Sequence, residues 1–124
     1  MQGFINQSLG FTGLLYWSVD YWTKNPWSDV DTYPTDGDHY PGEGMLVYPG
    51  EDAGVQGTVP SLRLKWIREG VEDYEYIELM KKAGKGDLAL ELARQLGQDF
   101  RHWNADPKLL FAARKRMGEV LDKH

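Results

Sequence analysis

Cysteine is missing from this 124-residue sequence, which removes disulfides, thiolate catalysis and thiolate-type zinc sites. Long apolar runs are missing too. No stretch approaches the roughly 20 residues that span a bilayer, so no membrane crossing is expected. There is no basic excess: 19 acidic residues outnumber 14 Lys and Arg, for a formal net charge of -5. The cations are also interleaved with Asp and Glu, so nucleic acid is not expected as a partner. The chain does not open on a basic segment followed by an apolar one, so no secretion signal is expected and the compartment stays unassigned. Nor is there a phosphate-binding glycine loop, a nucleophile elbow or an internal repeat.

What is present is ordinary in amount but uneven in placement. The hydrophobic fraction of 41% and charged fraction of 27% fit one soluble globular domain with no room for a second core. Aromatics crowd the first half: Tyr16, Trp17, Tyr21, Trp22, Trp27, Tyr33, Tyr40 and Tyr48 fall within 48 residues. That is more amphipathic ring than packing asks of a loop-rich stretch.

The pattern divides the sequence at about residue 60. In 1–60, Phe4, Ile5 and Leu9 fit the end of a helix that Gly10 terminates. Phe11 to Val19 is apolar and aromatic on both faces, which predicts a strand buried on both sides. A second short strand is expected over Gly44 to Tyr48, closed by Pro49 and Gly50. Between them, Asp20 to Glu43 is a long loop rich in Asp, Pro and Gly, and loops of that length in compact domains tend to be functional. In 61–124 the period is helical. Leu64, Ile67, Val71, Tyr74 and Ile77 form one stripe, started by Pro60 and Ser61 and stopped by Gly84. A helix capped by Asp87 carries Leu88, Leu92, Leu96 and Phe100. A last helix, opened by Asp106 and Pro107, carries Leu110, Ala113, Met117 and Leu121. Two short strands followed by about three helices point to α/β architecture with a parallel sheet, in which loops after strand ends carry the site.

Three constellations bear on chemistry. Tyr16, Trp17, Ser18, Val19, Asp20, Tyr21 and Trp22 set a strand end where a Trp face can stack on a sugar and an Asp can bind hydroxyls; the alternative is that Trp17 plugs a barrel mouth. The loop residues Asp29, Asp31, Asp36, Asp38 and His39 cluster oxygen ligands, but their spacing is not that of a calcium loop. Asx-turns are the expected reading there, and no metal. The run RLKWIREGVEDYEY is expected to be a salt-bridged helix built on Arg63, Arg68, Glu72 and Asp73, with Arg68/Glu72 and Lys65/Glu69 four apart. His39, His102 and His124 are scattered without triad partners.

Together GFTGLLYWSVDYW, GEGMLVYPG and VPSLRLKWIREGVEDYEYIELM resemble the C-terminal region of the family 123 glycoside hydrolase catalytic domain, over roughly residues 3 to 82. The third segment is the most specific. The resemblance implies the C-terminal portion of a (β/α)8 barrel, helix-dominated if the chain stands alone. It also implies an enzyme of β-linked N-acetylgalactosamine that uses the substrate's own 2-acetamido group as nucleophile, with an acidic pair doing the catalytic work and no cofactor. That pair belongs to an earlier strand, so no catalytic residue is expected in this chain. Trp17 and Tyr48 are expected to line the sugar subsite, with Trp22 and Asp20 beside it. Two strands cannot close a barrel, so an incomplete domain and a homodimer through orphan strands are expectations that follow. A non-catalytic helical interaction or glycan-binding module is the competing reading. An unshielded carboxyl group near Trp17 separates the two, and Asp20 and Glu43 are the nearest candidates.

Overall fold

The computed structural model describes residues 1–31 and 37–123; Tyr33, Asp36 and His124 lie outside them. The chain is mixed α/β and helix-rich. Helix α1 spans Gln2–Leu9, strands β1 and β2 span Val47–Pro49 and Thr58–Pro60, and helices α2, α3 and α4 span Leu62–Lys82, Gly86–Leu96 and Pro107–Leu121. No helix among the described residues is long and apolar enough to cross a membrane. Two compact units result, Met1–Gly13 with Ile67–His124, and Leu14–Trp66.

The first unit is helical, and its local signals act as the sequence predicts at most ends. Gly10 takes the left-handed conformation at φ 73°. The N–H groups of Gly10 and Phe11 return to the carbonyls of Gln7 and Asn6 at 3.2 and 2.8 Å, satisfying the orphan acceptors of α1. Asp106 caps α4 by accepting the Lys108 N–H at 2.9 Å, with Pro107 in the first turn. The start of α3 differs. Lys85 precedes it without a side-chain cap, and Asp87 lies inside the first turn, where its charge meets the helix dipole.

Phe4, Ile77, Met80, Ala89, Ala93, Leu96, Ala113 and Met117 form the core of this unit. The buried face of α2 is Gly70, Asp73, Ile77 and Met80, whereas Val71 is 50% exposed. The face is turned by one residue, about 100°, from the predicted stripe. Two contacts account for the turn: α1 lies against the backbone at Gly70, and Asp73 is drawn inward by Arg114. On α3 the small residues Ala89 and Ala93 are buried, while Leu88 and Leu92 pack partly against them. Phe100 lies past the helix end, 57% exposed and stacked 6.4 Å from Phe11.

The second unit is where sequence and structure part. Strands β1 and β2 pair antiparallel, Val47 with Pro60, Tyr48 with Val59 and Pro49 with Thr58, where a parallel arrangement was expected. The second strand arrives about three residues later than Gly44, and β2 was not anticipated. Flanking bonds from Ser61 N–H to the Leu46 carbonyl and from Gly50 N–H to the Gly57 carbonyl fix the alternation. Pro49 and Pro60 therefore fall at non-hydrogen-bonded positions, where a missing N–H costs nothing.

Phe11 to Val19 is not a strand. Leu15 is 88% exposed, and Phe11, Leu14, Trp17 and Val19 are each about half exposed. A strand needs a ladder partner. Among the described residues the segment's backbone bonds to other segments lie at its two ends: Phe11 N–H closes α1 on the Asn6 carbonyl, the Val19 carbonyl accepts from Leu46 and Val47, and Asp20 just beyond it bridges Met45.

Candidate functional site

Five aromatic residues of the second unit, Tyr16, Trp17, Trp22, Trp27 and Tyr48, are held by hydrogen bonds at their polar tips. The Trp17 indole N–H donates to Glu43 Oε1 at 2.6 Å, and its ring meets Tyr21 at 5.2 Å and 56°. The Trp22 indole donates to the Val47 carbonyl at 3.1 Å, and that of Trp27 to the Pro49 carbonyl at 2.8 Å. Trp27 also packs on Tyr48, centroids 5.1 Å apart. The Tyr48 hydroxyl in turn accepts from Arg63 at 3.1 Å. Trp17, Tyr21 and Trp27 stay 49%, 40% and 46% exposed. A half-exposed indole whose N–H is satisfied is an amphipathic ring held in place.

The four residues expected to face a sugar thus all lie in this unit. Trp17 sits with Tyr21 and Glu43; Tyr48 sits with Trp27 and Arg63. Trp22 is half-buried against β1. Asp20 is exposed, its backbone bridged to Met45. Of the two candidate carboxyl groups, Asp20 and Glu43, Glu43 is the one that accepts the Trp17 indole N–H.

In the Asp-rich loop the carboxylates cap turns and pair with cations. Asp29 accepts the Asp31 N–H at 3.0 Å and Lys24 Nζ at 2.7 Å, and the lysine holds its carboxyl below the usual range. His39 pairs with Asp31 and depresses it in the same sense. The Asx-turn expectation holds at Asp29; Asp36 lies outside the described residues. Among the described residues no group of three His, Asp or Glu comes together in a way that could hold a metal ion.

The charge run on α2 divides its work. Arg68 pairs with Glu72 at 3.5 Å, as spaced, and with Glu69 at 3.1 Å. Arg63 binds neutral oxygens instead, the Tyr48 hydroxyl and the Met45 carbonyl. Asp73 is fully buried and pairs with Arg114 of α4. Arg114 also donates to the Glu69 carboxylate at 3.0 Å and the Glu69 carbonyl at 3.3 Å. Arg114 was missed in the sequence because it lies 41 residues from Asp73, and nothing local marks it.

A pH dependence follows from these pairs. Arg68 and then Arg114 hold Glu69 below its ordinary 4.5, and Lys81 and then Gln7 do the same for Glu78. Carboxylates depressed on folding stabilise the native state fully above pH 4.5 and lose that contribution as pH falls through their folded values. Thermal melts from pH 6 to pH 3 are expected to hold steady to about 4.5 and decline below it. The decline should be shallower in a Glu69→Gln/Glu78→Gln variant; equal slopes in both proteins would contradict the assignment.

With the geometry in view, comparison with known proteins adds one finding. The family model described as glycoside hydrolase 123, catalytic domain, matches residues 1–80. The match takes in α1, the whole 14–66 unit and α2 to within two residues of its end; α3 and α4 lie beyond it. No curated protein matches the chain.

Proposed function

This chain belongs to the glycoside hydrolase 123 catalytic-domain family, and on that premise we propose that its 14–66 unit is part of the sugar-facing wall of a barrel hydrolase. The observation that carries the reading is Trp17: a half-exposed indole anchored through its N–H to Glu43. A hexosamine ring presents a C–H face that stacks on such a surface, and the exposed Asp20 would accept hydrogen bonds from its hydroxyls. Tyr48 and Trp22 border the same wall. The substrate class we assign is β-linked N-acetylgalactosamine, cleaved with retention by attack of the 2-acetamido oxygen on the anomeric carbon. Such substrate assistance departs from the two-carboxylate scheme of most glycosidases.

In this reading the acidic pair is supplied by polypeptide other than these residues, and Phe11 to Val19, which forms no strand here, becomes one when that polypeptide pairs with it. Support comes from the exposed, apolar character of the segment and from Glu43, which is engaged as an acceptor for Trp17 rather than open to a leaving group.

Two assays test this. Isothermal titration with N-acetylgalactosamine is expected to detect binding that Trp17→Ala weakens about tenfold, the worth of one aromatic stacking contact. The purified chain is expected to leave an aryl β-N-acetylgalactosaminide uncleaved. Turnover abolished by Asp20→Asn would overturn the non-catalytic assignment, and affinity untouched by Trp17→Ala would remove the wall.

A further inference from the structure

The turn that follows the long loop is built in unusual detail around Trp17. Glu43 N–H bonds the Tyr40 carbonyl at 3.0 Å and Met45 N–H bonds the Gly42 carbonyl at 3.3 Å, closing the turn on either side of Glu43 and Gly44. Gly42 and Gly44 take left-handed backbone, φ 81° and 70°, which a side chain would disfavour. The Gly44 N–H donates to the Tyr16 hydroxyl at 3.0 Å, and its carbonyl accepts the Tyr21 N–H at 3.0 Å. Residues on both sides of Trp17 are therefore tied to one glycine.

That glycine also sets how close the ring lies. A Cβ at Gly44 would stand 2.6 Å from Trp17 Cζ2 and 3.0 Å from Cη2 and from Tyr21 Cβ, so the indole rests on bare backbone. The remaining freedom of a Trp side chain is rotation of the ring, and the bond from its N–H to Glu43 Oε1 at 2.6 Å removes it. Hydrogen bonds to a carboxylate are about twice as strong as neutral ones, and here one is spent on an exposed aromatic.

We propose that Glu43 is a positioning residue for Trp17, fixing the rotation of the indole so that one face stays presented to the N-acetylhexosamine, with Gly44 as the seat. The proposal rests on the reading of Trp17 as the sugar platform. Its chemistry is preorganisation: a ring already held in the stacking orientation has less freedom to lose when the sugar arrives. Glu43 itself need not touch the substrate.

The test uses the full chain and three proteins: parent, Glu43→Ala and Glu43→Gln. Solvent exchange of the Trp17 indole N–H is followed by NMR, and N-acetylgalactosamine affinity by titration. In Glu43→Ala, exchange is expected to be about tenfold faster and affinity about tenfold weaker, the loss of one charge-assisted bond, with the melting temperature unchanged. Glu43→Gln keeps a carbonyl acceptor and should retain most of both. Unchanged exchange in Glu43→Ala overturns the positioning role, whether or not the parent binds the sugar. Faster exchange in Glu43→Ala beside a parent that binds no sugar would instead sink the platform reading, leaving the hold on Trp17 without that purpose.

Discussion

Replacing Arg114 with alanine is expected to destabilise the helical unit by about 3 kcal/mol, the lower end of the cost of removing one partner from a buried ion pair, because the Met1 ammonium stays near Asp73. Asp73 has no exposure and Arg114 is 22% exposed. The guanidinium joins α4 to α2 through Asp73, the Glu69 carboxylate and the Glu69 carbonyl at once. Removing it leaves the fully buried Asp73 carboxylate with the Met1 ammonium, 3.5 Å from Oδ2, as its cationic neighbour. The buried aspartate also holds the guanidinium's proton more tightly, raising Arg114 above the usual guanidinium range, so no accessible pH relieves the pair from the arginine side. Urea denaturation should show the midpoint shift. Arg114→Met keeps the stem's packing and should cost nearly as much, because the charge is the issue. The double variant Asp73→Leu/Arg114→Met is expected to recover most of the loss, since apolar replacement of a whole buried pair is often close to neutral. A single-variant cost under about 1 kcal/mol, the range of exposed pairs, would show that Asp73 is solvated in the native protein.

Gly3→Ala is the second large effect, and its sign runs against helix propensity. Alanine is favoured over glycine in a helix by about 1 kcal/mol. At Gly3, however, a Cβ would overlap the Gly70 carbonyl oxygen, lie 2.8 Å from the Tyr74 amide nitrogen and reach Asp73 Cβ at 3.0 Å. Two of these neighbours are helix backbone and cannot step aside, so α1 must move off α2. Overpacking of this kind costs about 1–3 kcal/mol, or more against rigid atoms, and a net loss of about 2 kcal/mol is expected. Gly118 is the control: it lies in α4 with open space where a Cβ would go. Gly118→Ala should stabilise by about 0.5–1 kcal/mol. Thermal melts of the two variants should move in opposite directions. Movement in the same direction would mean that α1 does not rest on Gly70.

The contrast between these sites shows what the amino-acid sequence made legible. Helix ends carry their own chemistry: Gly10, Ser61, Gly84 and the Asp106–Pro107 pair sit where punctuation of that kind belongs, and α1, α2 and α4 start or stop there. The side of α2 that faces the core was harder to read. Leu64, Ile67 and Val71 look like an inward stripe, yet Gly70 and Asp73 are the buried residues. The reason is long-range: a glycine buried for its lack of a side chain and an aspartate buried by a partner 41 residues away carry no hydrophobic signal. Phe11 to Val19 misled for a related reason. Its composition answers to a ladder on both edges, and no such ladder exists among the described residues.

Within the candidate site the residue types were legible and their pairings were not. Trp17, Tyr48, Trp22 and Asp20 were picked out by aromatic crowding and by resemblance. The bond between Trp17 and Glu43 spans 26 positions, and Trp27 reaches Tyr48 only because β1 carries the tyrosine past it. Sequence position kept Glu43 as a neighbour of interest. Geometry gives it a partner.

A sugar-binding wall at Trp17 of the 14–66 unit is the proposal on which the functional reading stands. An NMR titration of the chain with N-acetylgalactosamine, read on its five Trp indole N–H signals, tests it most directly. A saturable shift of Trp17 is expected, with a smaller response from Trp22 or Trp27 and fixed signals for Trp66 and Trp103. A dispersed spectrum whose Trp17 signal stays fixed through the titration would contradict it, leaving a folded member of the family with no sugar wall in these residues.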